Sequence, residues 1–203
     1  MLSQLRPTLV VLGALTLLTG VIYPVLVTGA ARAAFARQAS GSLIVQNGHV
    51  VGSSLIGQPF DDPRYFWSRP SATGPAAYNA SSSSASNLGP SNPALVDAIK
   101  ARVEALRAAD PGNADAVPVD LVTASGSGLD PDLSPASVAY QVARVARARH
   151  LDVARVQELV RDHTAGPDFG LLGDARVNVL RLNVALDGLQ QGDPHEDGRA
   201  SRP

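Results

Sequence analysis

The sequence predicts a single N-terminal transmembrane helix followed by one compact α+β domain. Three observations carry that reading. An uncharged apolar run occupies 7–31. An Asn-Gly dipeptide sits between two β-branched runs at 43–52. Three later segments open on a capping residue and then hold apolar side chains at helical spacing. The boundaries that follow are a transmembrane helix over 7–29, a soluble α+β domain over 30–189 and a disordered polar tail over 190–203.

The apolar run, PTLVVLGALTLLTGVIYPVLVTGAA, lies between Arg6 and Arg32. Its 25 residues exceed the roughly 20 that a helix needs to cross the hydrocarbon core. They also exceed the roughly 7–15 apolar residues of a secretory signal, so the segment reads as an uncleaved anchor. Gly13, Gly20 and Pro24 would weaken a helix in water. In a membrane they are tolerated, and small residues allow a partner helix to approach. Tyr23 suits an interface. Arg6 and the amino terminus stand on one side of the run and Arg32 and Arg37 on the other, so charge alone leaves the orientation open.

Arg32 to Ala39 reads as a short helical continuation. LIVQNGHVVG, 43–52, then predicts a β-hairpin turning at Asn47-Gly48. Asp61-Asp62-Pro63 marks a turn. Ser91-Asn92-Pro93 starts a helix with Leu95, Ile99, Val103 and Leu106 on one face, stopped by Asp110-Pro111-Gly112-Asn113. VPVDLVT, 117–123, alternates like a strand. Ser134-Pro135 starts a second helix with Val138, Val142 and Val145 apolar. Its last turns carry Arg144, Arg147 and Arg149, read as a solvated face complementing the helix dipole rather than an anion site. Asp152 caps a third helix through Val153, Val156, Leu159 and Val160, ending near Gly166-Pro167. VNVLRLNVAL, 177–186, reads both ways: Leu180, Leu182, Val184 and Leu186 alternate like a strand, while Val177, Leu180 and Val184 fit a helix, and a strand that turns helical near Asn183 is favoured.

Composition excludes several chemistries. The net charge of −1 and pI near 6.4 give no electrostatic case for nucleic-acid binding. Without cysteine there is no disulfide, thiolate metal site or Cys nucleophile. Lys100 is the only lysine and sits in a helix, so no phosphate-binding loop of the G-x-x-x-x-G-K type exists. No D-K-T-G-T phosphorylation motif occurs. His49, His150, His163 and His195 are scattered without metal-ligand spacing. Ser125-Gly126-Ser127-Gly128 lacks the order of a nucleophile elbow. No catalytic constellation and no metal site emerge. Two classes stay open on these grounds: an accessory subunit held against a membrane partner, or a free-standing membrane-anchored binding or sensor domain.

The stretch RYFWSRPSATGPAAYNASSSSASNLGPSNPAL, 64–95, poses the sharper question. The chain is 4% aromatic, yet Tyr65, Phe66, Trp67 and Tyr78 crowd here, ahead of a serine run that looks like linker. Taken in order, GHVVGSSLIGQPF, YFWSRPSA, SNLGPSNPAL, VPVDLVTASGSGLDPDLSPASVAYQVARVARAR and GDARVNVLRLNVALD resemble the C-subunit family of the Kdp potassium-transporting ATPase. The resemblance runs from about Leu9 to Leu189. One departure is Ser82–Asn87, where the family commonly carries glycines that relax φ.

The resemblance implies a non-catalytic accessory subunit in the cell membrane, single-pass, with the bulk of the chain extracytoplasmic. It implies three partners: a potassium-selective channel-like subunit, a P-type ATPase subunit and a small single-helix subunit. It also implies a catalytic-chaperone role that raises the ATP affinity of the ATPase subunit, so ATP enters through that partner and no cofactor is assigned to this chain. A family pattern through 64–95 favours an ordered loop over a spacer. Tyr65, Trp67, Tyr78 and Asn87 are the candidates for contacting the partner or for fixing the loop that does so. Along an extended segment Phe66 must face opposite to Tyr65 and Trp67, so one role is core and the other is not. For weak nucleotide binding the candidates are Ser82, Ser83, Ser84 and Asn87 with Ser125 and Ser127, where small residues leave backbone N–H groups open to phosphate.

Overall fold

The computed structural model describes residues 2–191. The chain divides into two compact units, with the boundary between Leu43 and Ile44.

The first unit is the apolar helix. Helix α1 spans Leu2–Leu17 and α2 spans Tyr23–Ala34. Between them Leu18–Ile22 widens into a π turn, closed by the Tyr23 N–H donating to the Leu18 carbonyl. The cause is one turn ahead. The Pro24 ring would strike the carbonyl four residues back, and a wider turn moves that carbonyl aside. Ser3–Ala34 is long and apolar enough to cross a membrane. The Thr19 hydroxyl donates to the Leu15 carbonyl at 2.7 Å, so even this polar side chain is satisfied within the helix. Phe35 breaks the helix, and α3, Ala36–Ala39, is the short continuation expected from the sequence.

The second unit is α+β. Strands β1, Leu43–Gln46, and β2, His49–Ser53, form the predicted hairpin. Asn47 and Gly48 both take positive φ, as a two-residue hairpin turn of this type requires. Helix α4 spans Pro93–Ala109, and the Asn92 side chain accepts from the Ala94 N–H. Helix α5, Pro135–Arg149, is capped by Ser134, and α6, Val153–Asp162, by Asp152. A three-stranded antiparallel sheet, in the order β3-β5-β4, is built from Asp132–Leu133, Arg176–Asn178 and Thr164–Ala165. Val177 is the shared central position, opposite Leu133 on one side and Thr164 on the other. Helix α7, Val179–Gln191, closes the domain.

Four expectations need correction. Residues 117–123 are not a strand. Pro118 leads into a 3-10 turn, Val119–Leu121, tightened by the Thr123 hydroxyl bonding the Val119 carbonyl. Leu121 and Val122 are buried all the same, which is what their apolar character required. The strand expected from 177 to near 183 stops at Asn178. There the Asn178 side chain accepts from the Arg181 N–H and starts α7 at Val179, ahead of the Asn183 that the alternation suggested. Helix α6 ends at Asp162 rather than near Gly166, because Thr164 and Ala165 pair with β5. Helix α7 continues to Gln191, and the rest of the tail expected over 190–203 lies outside the described residues.

The core is one cluster. Val138, Val142, Val145 and Ala146 of α5 meet Val156 and Val160 of α6, Val177 of β5, Leu182 and Leu186 of α7, and Phe66 from the aromatic loop. Phe66 has no exposed surface, and burying it stabilises the fold by roughly 1.5–3 kcal/mol.

Candidate functional site

The segment 62–87 has almost no regular structure, yet many of its polar groups are hydrogen-bonded. Its centre is a strap at Phe66 and Trp67. In an extended chain, one residue's N–H and C=O point the same way and the next residue's point the opposite way. Two buried amides use that geometry. Asn183 of α7 accepts from the Phe66 N–H at 2.9 Å and donates to the Phe66 carbonyl at 3.0 Å. Gln141 of α5 accepts from the Trp67 N–H at 2.8 Å and donates to the Trp67 carbonyl at 3.2 Å. Each amide replaces a neighbouring strand.

Two arginines clamp the same strap. Arg144 donates from Nη1 to the carbonyls of Pro63 and Tyr65 and from Nη2 to Gln141 Oε1. Its guanidinium also lies 4.6 Å from the centre of the Trp67 ring. Burial lowers its pKa to about 10, which leaves it charged throughout the neutral range. Arg149 donates to the Arg64 carbonyl, pairs with Asp187 at 2.7 Å and stacks 4.5 Å from the Tyr65 ring centre. The expected solvated face is therefore wrong for these two residues, which are 2% and 5% exposed. Main-chain carbonyls and aromatic faces of the strap receive the charge that water was expected to receive. Arg147 alone matches the expectation of exposure, and it pairs with the buried Asp110 at 2.6 Å.

The candidate aromatics are built into this frame. Phe66 faces the core, whereas Tyr65 and Trp67 are half-buried. The Tyr65 hydroxyl donates to Asp187, and Trp67 Nε1 donates to the Asp62 carbonyl at 3.0 Å. Tyr78 takes positive φ and its hydroxyl donates to the Arg69 carbonyl. Burial raises the Tyr78 pKa. Its ring lies so close to Gly57 that a Cβ there would come within 2.5 Å of Cε1. Asn87 is exposed at φ +53, with its amide 3.4 Å from the Ala85 carbonyl.

The two serine loops meet. The Ser84 N–H and the Ser83 hydroxyl both donate to the Ser127 carbonyl, at 2.9 and 3.0 Å. The Ser125 hydroxyl accepts from the Gly128 N–H, and the Ser127 hydroxyl accepts from the Leu129 N–H. The Ser82 N–H is taken by the Asn79 carbonyl. Gly128, at φ +67, is required twice over, since a Cβ would also lie 2.5 Å from the Ser84 carbonyl oxygen. The candidates at Ser82–Ser84 and Ser125–Ser127 are thus brought together by the Ser84 N–H and the Ser83 hydroxyl, while the N–H groups of Ser82, Gly128 and Leu129 are taken up within their own loops. Asn87 stands outside these ties.

Sequence reasoning missed Arg69, Asn183, Gln141 and Asp187 as parts of the site. Arg69 bridges the strap to the second serine loop region, donating to the Thr123 carbonyl and pairing with Asp130 at 3.2 Å. A cleft of about 410 Å³ lies beside the sheet, lined among others by Asp132, His163, Arg176 and Arg181. Burial raises the Asp132 pKa, opposed by the Asn178 amide and Arg176. Among the described residues, no three His, Asp or Glu side chains gather to hold a metal ion.

The family described as "KdpC: K+-transporting ATPase, c chain" matches over residues 5–188. The chain is 65% identical over 190 residues to the potassium-transporting ATPase KdpC subunit of Polaromonas naphthalenivorans, covering 94% of this chain and 97% of that protein. It is 63% identical over 190 residues to the protein of that name in Methylococcus capsulatus, covering 94% and 100%. Against the one from Sorangium cellulosum the figures are 64% over 188 residues, covering 93% and 99%.

Proposed function

The chain belongs to the KdpC family, the c chain of the K+-transporting ATPase, and on that premise we propose that it is the non-catalytic accessory subunit of an ATP-driven potassium uptake complex. The observation that carries the proposal is the match over 5–188, which takes in both the anchor helix and the whole clamped strap. The helix sits among partner helices, and the α+β unit works outside the cytoplasm. There it docks on the potassium-selective channel-like subunit, in a complex that also holds the P-type ATPase subunit and the small single-helix subunit.

In this reading Tyr65, Trp67 and Tyr78 fix the loop that docks, and Asn87 is free to make contact. The ring stacking and hydroxyl bonds of the aromatics support a positioning role. The chaperone effect on ATP affinity passes through the partner subunits, since a domain outside the membrane cannot reach a cytoplasmic nucleotide. The engagement of the loop N–H groups at Ser84 and Gly128 supports that route over direct binding.

The test uses membranes carrying the whole complex. The tagged chain is expected to co-purify with the other subunits and to keep an intact N-terminus by mass spectrometry. Protease added outside spheroplasts is expected to digest the α+β unit. Full protection of that unit would refute the topology, and purification of the chain alone would refute the subunit role.

A further inference from the structure

Between β4 and β5 the chain makes a hairpin that the strap, the core and the serine loops do not use. Asp168 and Leu172 exchange both backbone hydrogen bonds, at 2.8 and 2.9 Å. The Gly170 N–H donates to the Pro167 carbonyl at 3.0 Å. Asp168 pairs with Arg176 at 3.1 Å and ties the base of the hairpin to β5. At the tip Phe169 is 96% exposed, Leu171 83% and Leu172 59%. Phe169 also takes φ +56, a conformation that a bulky side chain adopts only under strain. The fold therefore holds three apolar side chains in water on a rigid turn, one of them at a conformational cost, and gains no packing from the first two.

We propose that Phe169, Leu171 and Leu172 form a docking knob that seats in an apolar pocket, rimmed by basic side chains, on another protein chain of the transport complex. The proposal rests on the subunit reading above and names a contact within it. Charge selects the occupant. Segments that dip into a lipid surface carry Lys or Arg beside their apolar side chains, to meet anionic headgroups. In sequence this tip is flanked by Asp168 and Asp174, and the nearest cation along the chain, Arg176, is engaged by Asp168. An anionic surface repels that arrangement, whereas a pocket with a basic rim complements it. The rigid hairpin suits a pocket for a second reason: little conformational freedom remains to be lost on docking. The knob is small, and the membrane anchor on the same chain raises its effective concentration at a partner.

The test places the photo-crosslinking residue p-benzoyl-phenylalanine at Phe169 in the full chain, expressed with the whole complex and irradiated in membranes. The expected result is a product heavier than the 21.0 kDa chain that contains peptides of a different subunit. A parallel variant, Phe169→Ser with Leu171→Ser, alters only exposed side chains and so leaves the fold intact. It is expected to lower the chain retained in the detergent-washed complex by about tenfold, as loss of an apolar anchor at an interface does. Cross-links only to lipid, to a second copy of this chain or within the chain would overturn the knob. So would the absence of any cross-link while the chain still co-purifies. Failure to co-purify at all would overturn the subunit reading together with the knob.

Discussion

Asn183 and Gln141 do for Phe66 and Trp67 what flanking strands do for a sheet. The partner in each case is main chain, so no substitution elsewhere on the strap can relieve its loss. Asn183→Ala is expected to leave the buried Phe66 N–H and carbonyl unpaired and to cost about 1–3 kcal/mol or more, read from denaturant unfolding of the detergent-solubilised chain. Asn183→Leu should restore volume and no stability, and recovery to wild type would contradict the assignment. Trp67→Ala removes a ring that packs on the core, carries Arg144 and bonds the Asp62 carbonyl. Its expected outcome is loss of the domain's own stability by about 3 kcal/mol or more. Unchanged stability with lost co-purification would instead make Trp67 a contact residue. The contrast in burial between Phe66 and its neighbours Tyr65 and Trp67 was legible in the sequence, because alternation is local. The sequence could not reveal Arg144 and Arg149 as clamps. Their partners lie 79 to 85 residues away, and a charged helix end reads as solvated until an acceptor is placed over it.

At the scale of elements, helix α5 depends on a carboxylate outside itself. Asp120 accepts from the Ser134 N–H and the Ser137 hydroxyl, at 3.1 and 3.2 Å. Burial alone would raise its pKa, but the hydrogen bonds from Ser134 and Ser137 outweigh burial and hold it below the usual carboxylate range. The sign follows. A depressed folded pKa contributes stability that is fully present above the unfolded value of about 4 and is lost as pH falls through the folded value. Melting of Asp120→Asn is therefore expected to fall less steeply than wild type as pH drops below about 5. Parallel curves would rule the linkage out. Gly128→Ala tests the junction of the serine loops. The added Cβ meets the Ser84 carbonyl at a positive φ, so a loss of about 1–3 kcal/mol in denaturant unfolding is expected, and a neutral effect would contradict the close approach. The hairpin and the three capped helices were legible because an Asn-Gly turn and side-chain caps act locally. The sheet was not, since strands of two and three residues are too short to show alternation. The 117–123 segment failed for the converse reason. Its alternation was real but reflected burial of Leu121 and Val122 beneath a 3-10 turn.

At the scale of the molecule, the sequence holds no phosphate-binding loop of the G-x-x-x-x-G-K type and no D-K-T-G-T motif, and on the proposed subunit reading energy coupling belongs to a partner. We propose that this chain supports a pump it does not itself drive. The most direct measurement is potassium-stimulated ATP hydrolysis by the purified complex with and without this chain, beside the purified chain alone. The expected result is no turnover by the chain, loss of stimulated hydrolysis when it is omitted, and recovery when it is added back. Full stimulated activity in its absence, or ATP hydrolysis by the chain on its own, would contradict it.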